Sequence, residues 1–300
     1  MNPLPSQRTA SARPWPSLVL GALAALLVAA TSEPPPTNGE ATEATDRLAE
    51  DELTGDDLYR RVLKNRFNAY DQELLLVSGD GAGHFSNVEL GLRYKNFRDE
   101  SKRVVSKTIA KYFAPPDVRH LGYLVINKQE GPDDQFVYRP SSRKVRRINV
   151  RGEAVAGTDF SFEDIVPPEF EDGTHERMPD AVVEGVPVYV VAVVPHAETE
   201  SQYSKLLISI EKKHYVPIRT LYWDNKQVLI KRLEAEADSL EGFENVDAQD
   251  DEPESIWIAR RARMTQTRSG HFTSLDIQLF EANPALRPRD FSQRELTASR

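Results

Sequence analysis

The 300-residue chain contains no cysteine. That absence excludes a disulfide framework, zinc–thiolate and iron–sulfur ligation, and a cysteine nucleophile. Net positive charge is absent too: Lys+Arg total 38 against Asp+Glu 47, a net charge of −9 at pH 7. Free nucleic acid is therefore not an expected partner, because a phosphate backbone needs a basic footprint. The six histidines form no His-x-His or His-Glu-x-x-His spacing, and no Gly-x-Ser-x-Gly elbow occurs. A local metal motif and a serine-hydrolase elbow are thus missing, and no cofactor is expected. Gly79-Asp-Gly-Ala-Gly83 has the glycines of a phosphate loop but neither its lysine nor its following helix, and reads as a turn. Asp133/Asp134 and Asp159/Asp164 are the carboxylate pairs that acid–base chemistry would need, with Asp159 more simply read as capping or turning a loop. The chain is expected not to be an enzyme.

The charge that is present is unevenly placed. Residues 31–57 carry −8, residues 234–254 carry −10 with ten acids and no base, and residues 1–30 carry +2, which leaves +7 on the rest. Both acidic runs read as solvated segments. Ser17 to Ala30, SLVLGALAALLVAA, is a fourteen-residue uncharged run after Arg8 and Arg13 that ends in small residues. This is the pattern of a secretory signal, and it is short of the roughly 20 residues of a membrane span. The expected organisation is a signal over 1–30, a disordered acidic linker over 31–53, a folded body over 54–281 with an acidic loop at 234–254, and a tail over 282–300. The mature chain is expected to be soluble outside the cytoplasmic membrane.

The body reads as strands. Thr54-Gly-Asp-Asp57 has the form of a capping box opening a helix of about four turns that ends near Asn68. Beyond it, strand-like runs fall at about 72–78, 87–99, 102–113, 119–127, 135–139, 143–150, 187–194, 203–211, 216–223, 226–234, 255–264 and 271–280. Val88, Leu90, Leu92 and Tyr94 alternate with Glu89 and Arg93; Leu206, Ile208 and Ile210 alternate with Lys205, Ser209 and Glu211. The run 226–234 alternates less cleanly, with Lys231 between Ile230 and Leu233. Alternation means one wet and one dry face, as in an antiparallel meander. The interruption is Phe160–Asp180, where Ser161-x-x-Asp164 can cap a short helix. A dozen strands with one dry face and only two short helices to cover it must curl over themselves, leaving either a filled barrel or a lined cavity.

Several strings in this body are similar to one family. Phe113-Ala-Pro-Pro-Asp117 leads into Gly122-Tyr-Leu124 and Asp133-Asp-Gln-Phe-Val-Tyr-Arg-Pro140, then Arg143-Lys-Val-Arg-Arg-Ile148 and Gly157-Thr-Asp-Phe-Ser-Phe-Glu-Asp-Ile165. Tyr203-Ser-Lys205, Pro217, Lys226 and Lys231 continue the pattern. The chain resembles the outer-membrane lipoprotein-sorting family, relatives of the LolA/LolB carriers, over roughly residues 52–281. The resemblance implies a mainly β fold, a single curved antiparallel sheet or half-open β-barrel with one N-terminal helix and a short helical lid over an apolar cavity that shields acyl chains in the aqueous periplasm. It also implies a lipid or acylated-protein cargo, and members often occur beside large lipid-exporting membrane pumps. The acidic insert at 234–254 is a departure from the family pattern.

A carrier needs an apolar lining, since burying acyl carbon is worth about 0.8 kcal/mol per CH₂. Val105, Ile109, Phe113, Leu124, Ile126, Phe136, Tyr138 and Ile208 are the candidate lining. Phe160, Phe162 and Ile165 are the candidate lid contacts. Ordinary core packing is the competing reading for all of them. The basic run that holds Arg143, Arg146 and Arg147, together with Arg139, Lys144 and Arg151, is a candidate contact for anionic headgroups or an acidic partner, against a plain solvated edge. The leading expectation is a monomeric, non-enzymatic carrier working with an inner-membrane lipid-export pump. The alternative is the same fold used as a sensor or adaptor for a regulatory membrane protein, with a hydrolase of an envelope polymer a distant third.

Overall fold

The computed structural model describes residues 53–131, 133–148, 154–155, 157–165, 169–247 and 253–298. The expected signal, nearly all of the acidic linker and Arg151 lie outside the described residues.

Among the described residues, fifteen strands follow the first helix. Helix α1 is Gly55–Lys64; the strands are β1 Ala69–Gly79, β2 Phe85–Asn96, β3 Val104–Ala114, β4 Gly122–Lys128, β5 Asp134–Arg139 and β6 Lys144–Arg147. The short helix α2, Phe162–Ile165, precedes β7 Gly173–Val183, β8 Val186–Pro195, β9 Tyr203–Glu211, β10 Pro217–Asp224 and β11 Leu229–Ala235. Then come β12 Leu240–Asp247, β13 Pro253–Ala259, β14 Arg261–Gln266, β15 Phe272–Ala282 and helix α3, Gln293–Thr297.

Thirteen strands form one antiparallel sheet in the order β6-β5-β4-β3-β2-β1-β15-β14-β11-β10-β9-β8-β7, and β12–β13 form a separate ribbon. The sheet is curved but does not close into a barrel: β6 and β7 are its two edges. Tyr203 on β9 and Tyr222 on β10 share a core with Leu90 on β2, Tyr112 on β3 and Val137 on β5, so the two wings face one another across an inner face.

The α1 capping box forms as its sequence dictates. Asp57 N–H donates to Thr54 Oγ1 at 3.1 Å and Asp57 Oδ2 accepts from Thr54 N–H at 2.9 Å. The helix stops short of the expected Asn68 because the Asn65 side chain leaves it to bracket Trp257, accepting from its N–H at 2.6 Å and donating to its carbonyl at 2.7 Å. Leu58 and Tyr59 bury against Tyr189, Val191, Ile208 and Ile210, so α1 covers the inner face at the β8–β9 end.

Strand β7 occupies a stretch expected to interrupt the sheet. Its exposed polar residues hide the alternation, and Pro179 sits at an edge strand's bulge, between Met178 and Ala181, where the missing N–H costs no ladder bond. The expected acidic loop also carries structure: its run includes β12, whose Phe243 and Val246 pack with Ile256 against Phe67. Several of its acids find cations, Glu234 on Arg219 of β10 and on Arg232 of its own strand at 2.9 Å each, and Glu241 on Arg260. The expected tail is part of the body as well, because Phe291 and Leu296 are buried on the outer face against Ile109 and Leu124. Lys111 Nζ donates to the Glu295 carbonyl at 2.9 Å and to the Ala298 carbonyl at 2.5 Å, a cation at the C-terminus of α3.

Two predictions arise at this level. The Phe113 ring lies over Gly91, where an added Cβ would meet Phe113 Cζ at 2.7 Å. Gly91→Ala is expected to cost about 1–3 kcal/mol by overpacking, read from the urea midpoint; an unchanged midpoint would show that the ring moves aside freely. His175, on β7, is sandwiched between Tyr59 at 4.1 Å and Phe170 at 4.7 Å. Its side chain is 1 % exposed, with Nδ1 3.0 Å from Asp56 and Nε2 without a hydrogen-bond partner among the described residues. Burial pushes its pKa below the ordinary 6.5, against the pull of Asp56 and with help from Arg60 and His196. The unfolded chain therefore binds the proton more readily, and the docking of α1 is fully stable above about pH 6.5 and weakens as pH falls below it. Urea unfolding from pH 7.5 down to 5.5 should show a steeper loss for the wild type than for His175→Gln, and parallel curves would refute it.

Candidate functional site

Cross-strand register assigns each side chain to a face. Leu74, Leu90, Ala110, Tyr123 and Val137 run from β1 through β5 on the inner face, joined on the other wing by Met264, Tyr222 and Tyr203. Val155, Phe160 and Phe162 come from the segment around α2 and bury into this surface, with Phe162 4.2 Å from the Tyr123 ring. A lid thus fills the middle of the concave face with aromatic side chains.

Two polar clasps fasten it. At one end the Asp159 carboxylate accepts from Thr273 Oγ1 at 2.7 Å and lies 2.8 Å from His271 Nδ1, while Ser78 Oγ donates to the Gly157 carbonyl at 3.0 Å. These hydroxyls bind Asp159 and backbone, not the imidazole, so the order of a nucleophile–base–acid relay is absent. At the other end Asp164, with its side chain fully buried, meets Lys231 Nζ at 2.6 Å. Its Oδ1 accepts from Tyr203 O–H at 2.6 Å, while Ser161 N–H and Oγ donate to Oδ2, the oxygen that Lys231 also binds, at 2.6 and 2.8 Å. Lys231 Nζ also lies over the Tyr203 and Tyr222 rings, at 5.1 and 5.5 Å. Burial, reinforced by the nearby Asp164 charge, pushes both tyrosine pKa values well up, so both phenols keep their protons and Tyr203 stays a donor to Asp164. The imperfect alternation of β11 is explained here: Lys231 points inward with Leu233.

Beyond the lid the inner face continues into a cavity of about 200 Å³ lined by Asn65, Arg66, Phe67, Tyr70, Gln72, Tyr94, Ile258, Ile277 and Phe280. Its wall is a stack of rings, Tyr70 on Tyr94 at 5.2 Å and on Phe280 at 5.8 Å. Ligand sites for drug-sized molecules run to roughly 300–1,000 Å³, so this space is small beside them.

The expected site residues divide between faces. Phe160 and Phe162 lie on the inner face, and Ile208 does so beneath α1. Ile109, Leu124, Ile126, Phe136 and Tyr138 lie on the outer face, in the cluster sealed by Leu286, Phe291 and Leu296. Phe113 is on that same side over Gly91, and Val105 is buried at the bulge opening β3. The Ile165 side chain lies outside the described residues. Arg143, in the β5–β6 turn, Arg146 and Arg147 are exposed, with Arg147 paired to Asp134. The register puts Arg146 beside Val137, at the rim of the inner face. Strands β3–β5 are apolar on both sides, so their alternation carries no sign of which side is inner. Lys231, Tyr222, Tyr70 and Tyr94 went unselected, although a lysine inside an apolar strand was a legible signal.

Among the described residues no three His, Cys, Asp or Glu side chains gather as a metal site, and no helix is long and apolar enough to cross a membrane. A family model described as "Uncharacterized protein" matches residues 105–298. No curated protein matches significantly. Among solved structures, a domain described as an outer membrane lipoprotein-sorting protein from Vibrio parahaemolyticus is similar at 21 % identity and TM-score 0.70, covering 81 % of this chain and 98 % of that one. A DUF1329 family protein from Desulfovibrio piger is similar at 24 % identity and TM-score 0.70, with coverages of 81 % and 97 %. A LolA superfamily protein from Nitrosomonas europaea reaches 15 % identity and TM-score 0.60, with coverages of 81 % and 99 %.

Proposed function

Since the chain belongs to the family whose model spans residues 105–298 and is LolA-like in fold, we propose that it is a non-enzymatic carrier. In this reading it shields the acyl chains of a lipid or lipoprotein in the periplasm during transfer towards the outer membrane, and takes its load from an inner-membrane lipid-export pump. The observation that carries the reading is the concave apolar face covered by a small lid. Phe160 and Phe162 occupy that face the way acyl carbon would, and two clasps hold them there. An acyl chain of ordinary length is worth on the order of 10 kcal/mol when moved from water into a dry pocket, enough to offset displacement of a few lid side chains. Arg146, with Arg139 and Lys144 on the same edge, gives the rim a positive charge suited to an anionic membrane or an acidic partner surface.

Extraction with organic solvent of protein isolated from the periplasm without detergent, followed by mass spectrometry, is the direct test. A stoichiometric lipid, diminished when Leu90 or Met264 on the inner face is replaced by a larger aromatic residue, is the expected result. A chain that carries no lipid and takes none from vesicles would defeat the carrier reading and leave the adaptor alternative in its place.

A further inference from the structure

The clasp at Asp164 has the composition of a receptor already holding its ligand. Its two carboxylate oxygens are bound separately: Oδ2 by Lys231 Nζ at 2.6 Å and Oδ1 by Tyr203 O–H at 2.6 Å. Lys231, Tyr203 and Tyr222 all belong to the sheet, on β11, β9 and β10, whereas Asp164 belongs to the lid. The Lys231 side chain is 5 % exposed and sits among Tyr203, Tyr222 and the apolar inner face. When the lid lifts, Asp164 leaves and the sheet-borne cation and phenol stay behind in an apolar hollow. An ammonium in an apolar hollow is costly without a counter-charge, so a second carboxylate arriving there would supply what Asp164 supplies in the closed form.

We infer that Lys231 and Tyr203 form an anion seat in the inner face that takes the carboxylate of a long-chain carboxylic acid, and that Asp164 is its built-in competitor. The inference rests on the carrier reading and adds the chemical class of the load. The ligand's head exchanges with Asp164 at Lys231 and Tyr203, and its chain replaces Phe160 and Phe162 along Leu90, Tyr123 and Met264. One carboxylate substitutes for another, so the exchange leaves the buried charge unchanged and the lid opens only for an amphiphile that brings its own anion. A free small anion lacks the chain that displaces the aromatic side chains, and a neutral ester lacks the charge that satisfies Lys231.

The test uses the full chain and phosphatidylcholine vesicles carrying labelled palmitate or labelled methyl palmitate, with label on the protein measured after the vesicles are removed. Charge-assisted hydrogen bonds of this kind imply a preference for the acid of roughly ten- to a hundredfold. Asp164→Asn is expected to raise palmitate uptake by weakening the competitor. The double variant Lys231→Met/Asp164→Leu replaces the ion pair with apolar groups and so remains foldable; it should take both labels at the ester's level. Excess acetate should leave palmitate uptake unchanged, and displacement by acetate would overturn the proposal in favour of a free-anion site. Equal uptake of acid and ester by the wild type, or an acid preference surviving in the double variant, overturns the anion seat while leaving the carrier reading intact. If neither label leaves the vesicles, both fall together.

Discussion

Replacing Lys231 by methionine is expected to destabilise the protein by about 3–5 kcal/mol, because the substitution leaves the Asp164 carboxylate buried without its cation. Asp164 is fully shielded and Lys231 nearly so, and the pair closes at 2.6 Å, so solvent screening does little for the survivor. Tyr203 and Ser161 still donate to Asp164, which keeps the loss near that range rather than above it. The double variant Lys231→Met/Asp164→Leu should recover most of the loss, since an apolar pair of similar volume suits a site ringed by Tyr203, Tyr222 and Phe162. Urea unfolding of the three proteins gives the coupling directly. A single variant that loses no more than the roughly 0–1 kcal/mol of a surface pair would show that water reaches the clasp.

Deleting residues 286–300 is expected to cost about 3–6 kcal/mol, from loss of the buried Phe291 and Leu296 at roughly 1.5–3 kcal/mol each. Extended-chain references make this an upper range. The deletion also bares Ile109 and Leu124, which are 2 % and 1 % exposed in the intact fold, and removes the carbonyls that Lys111 Nζ binds. Thermal unfolding and binding of a hydrophobic dye report the two effects. An unchanged midpoint with no dye binding would mean that α3 rests on the sheet without contributing to it. The point variants Phe291→Ala and Leu296→Ala should reproduce most of the loss without shortening the chain.

Much of the strand content was legible because apolar and polar residues alternate where one face is wet. β2 and β9 show this directly, and the α1 cap was written in Thr54 and Asp57. Strand β7 was hidden because an edge strand with exposed side chains keeps no dry stripe, and β12 because acids such as Glu241, which meets Arg260 only across the folded ribbon, mask its apolar positions. The lid was readable from Ser161 and Asp164, since its cap is local.

The sequence by itself determined that the protein is a curved antiparallel sheet with too few helices to cover it, because local alternation and turn chemistry depend only on near neighbours. The tertiary structure alone decided which face is inner. Ile109, Leu124 and Phe136 are as apolar as Ala110, Tyr123 and Val137, and only the packing of residues 286–296 on one side and of Phe160 and Phe162 on the other tells them apart. It alone also decided what Lys231 is for, since a charge is at home inside a sheet only when a partner 67 residues away in sequence arrives to meet it.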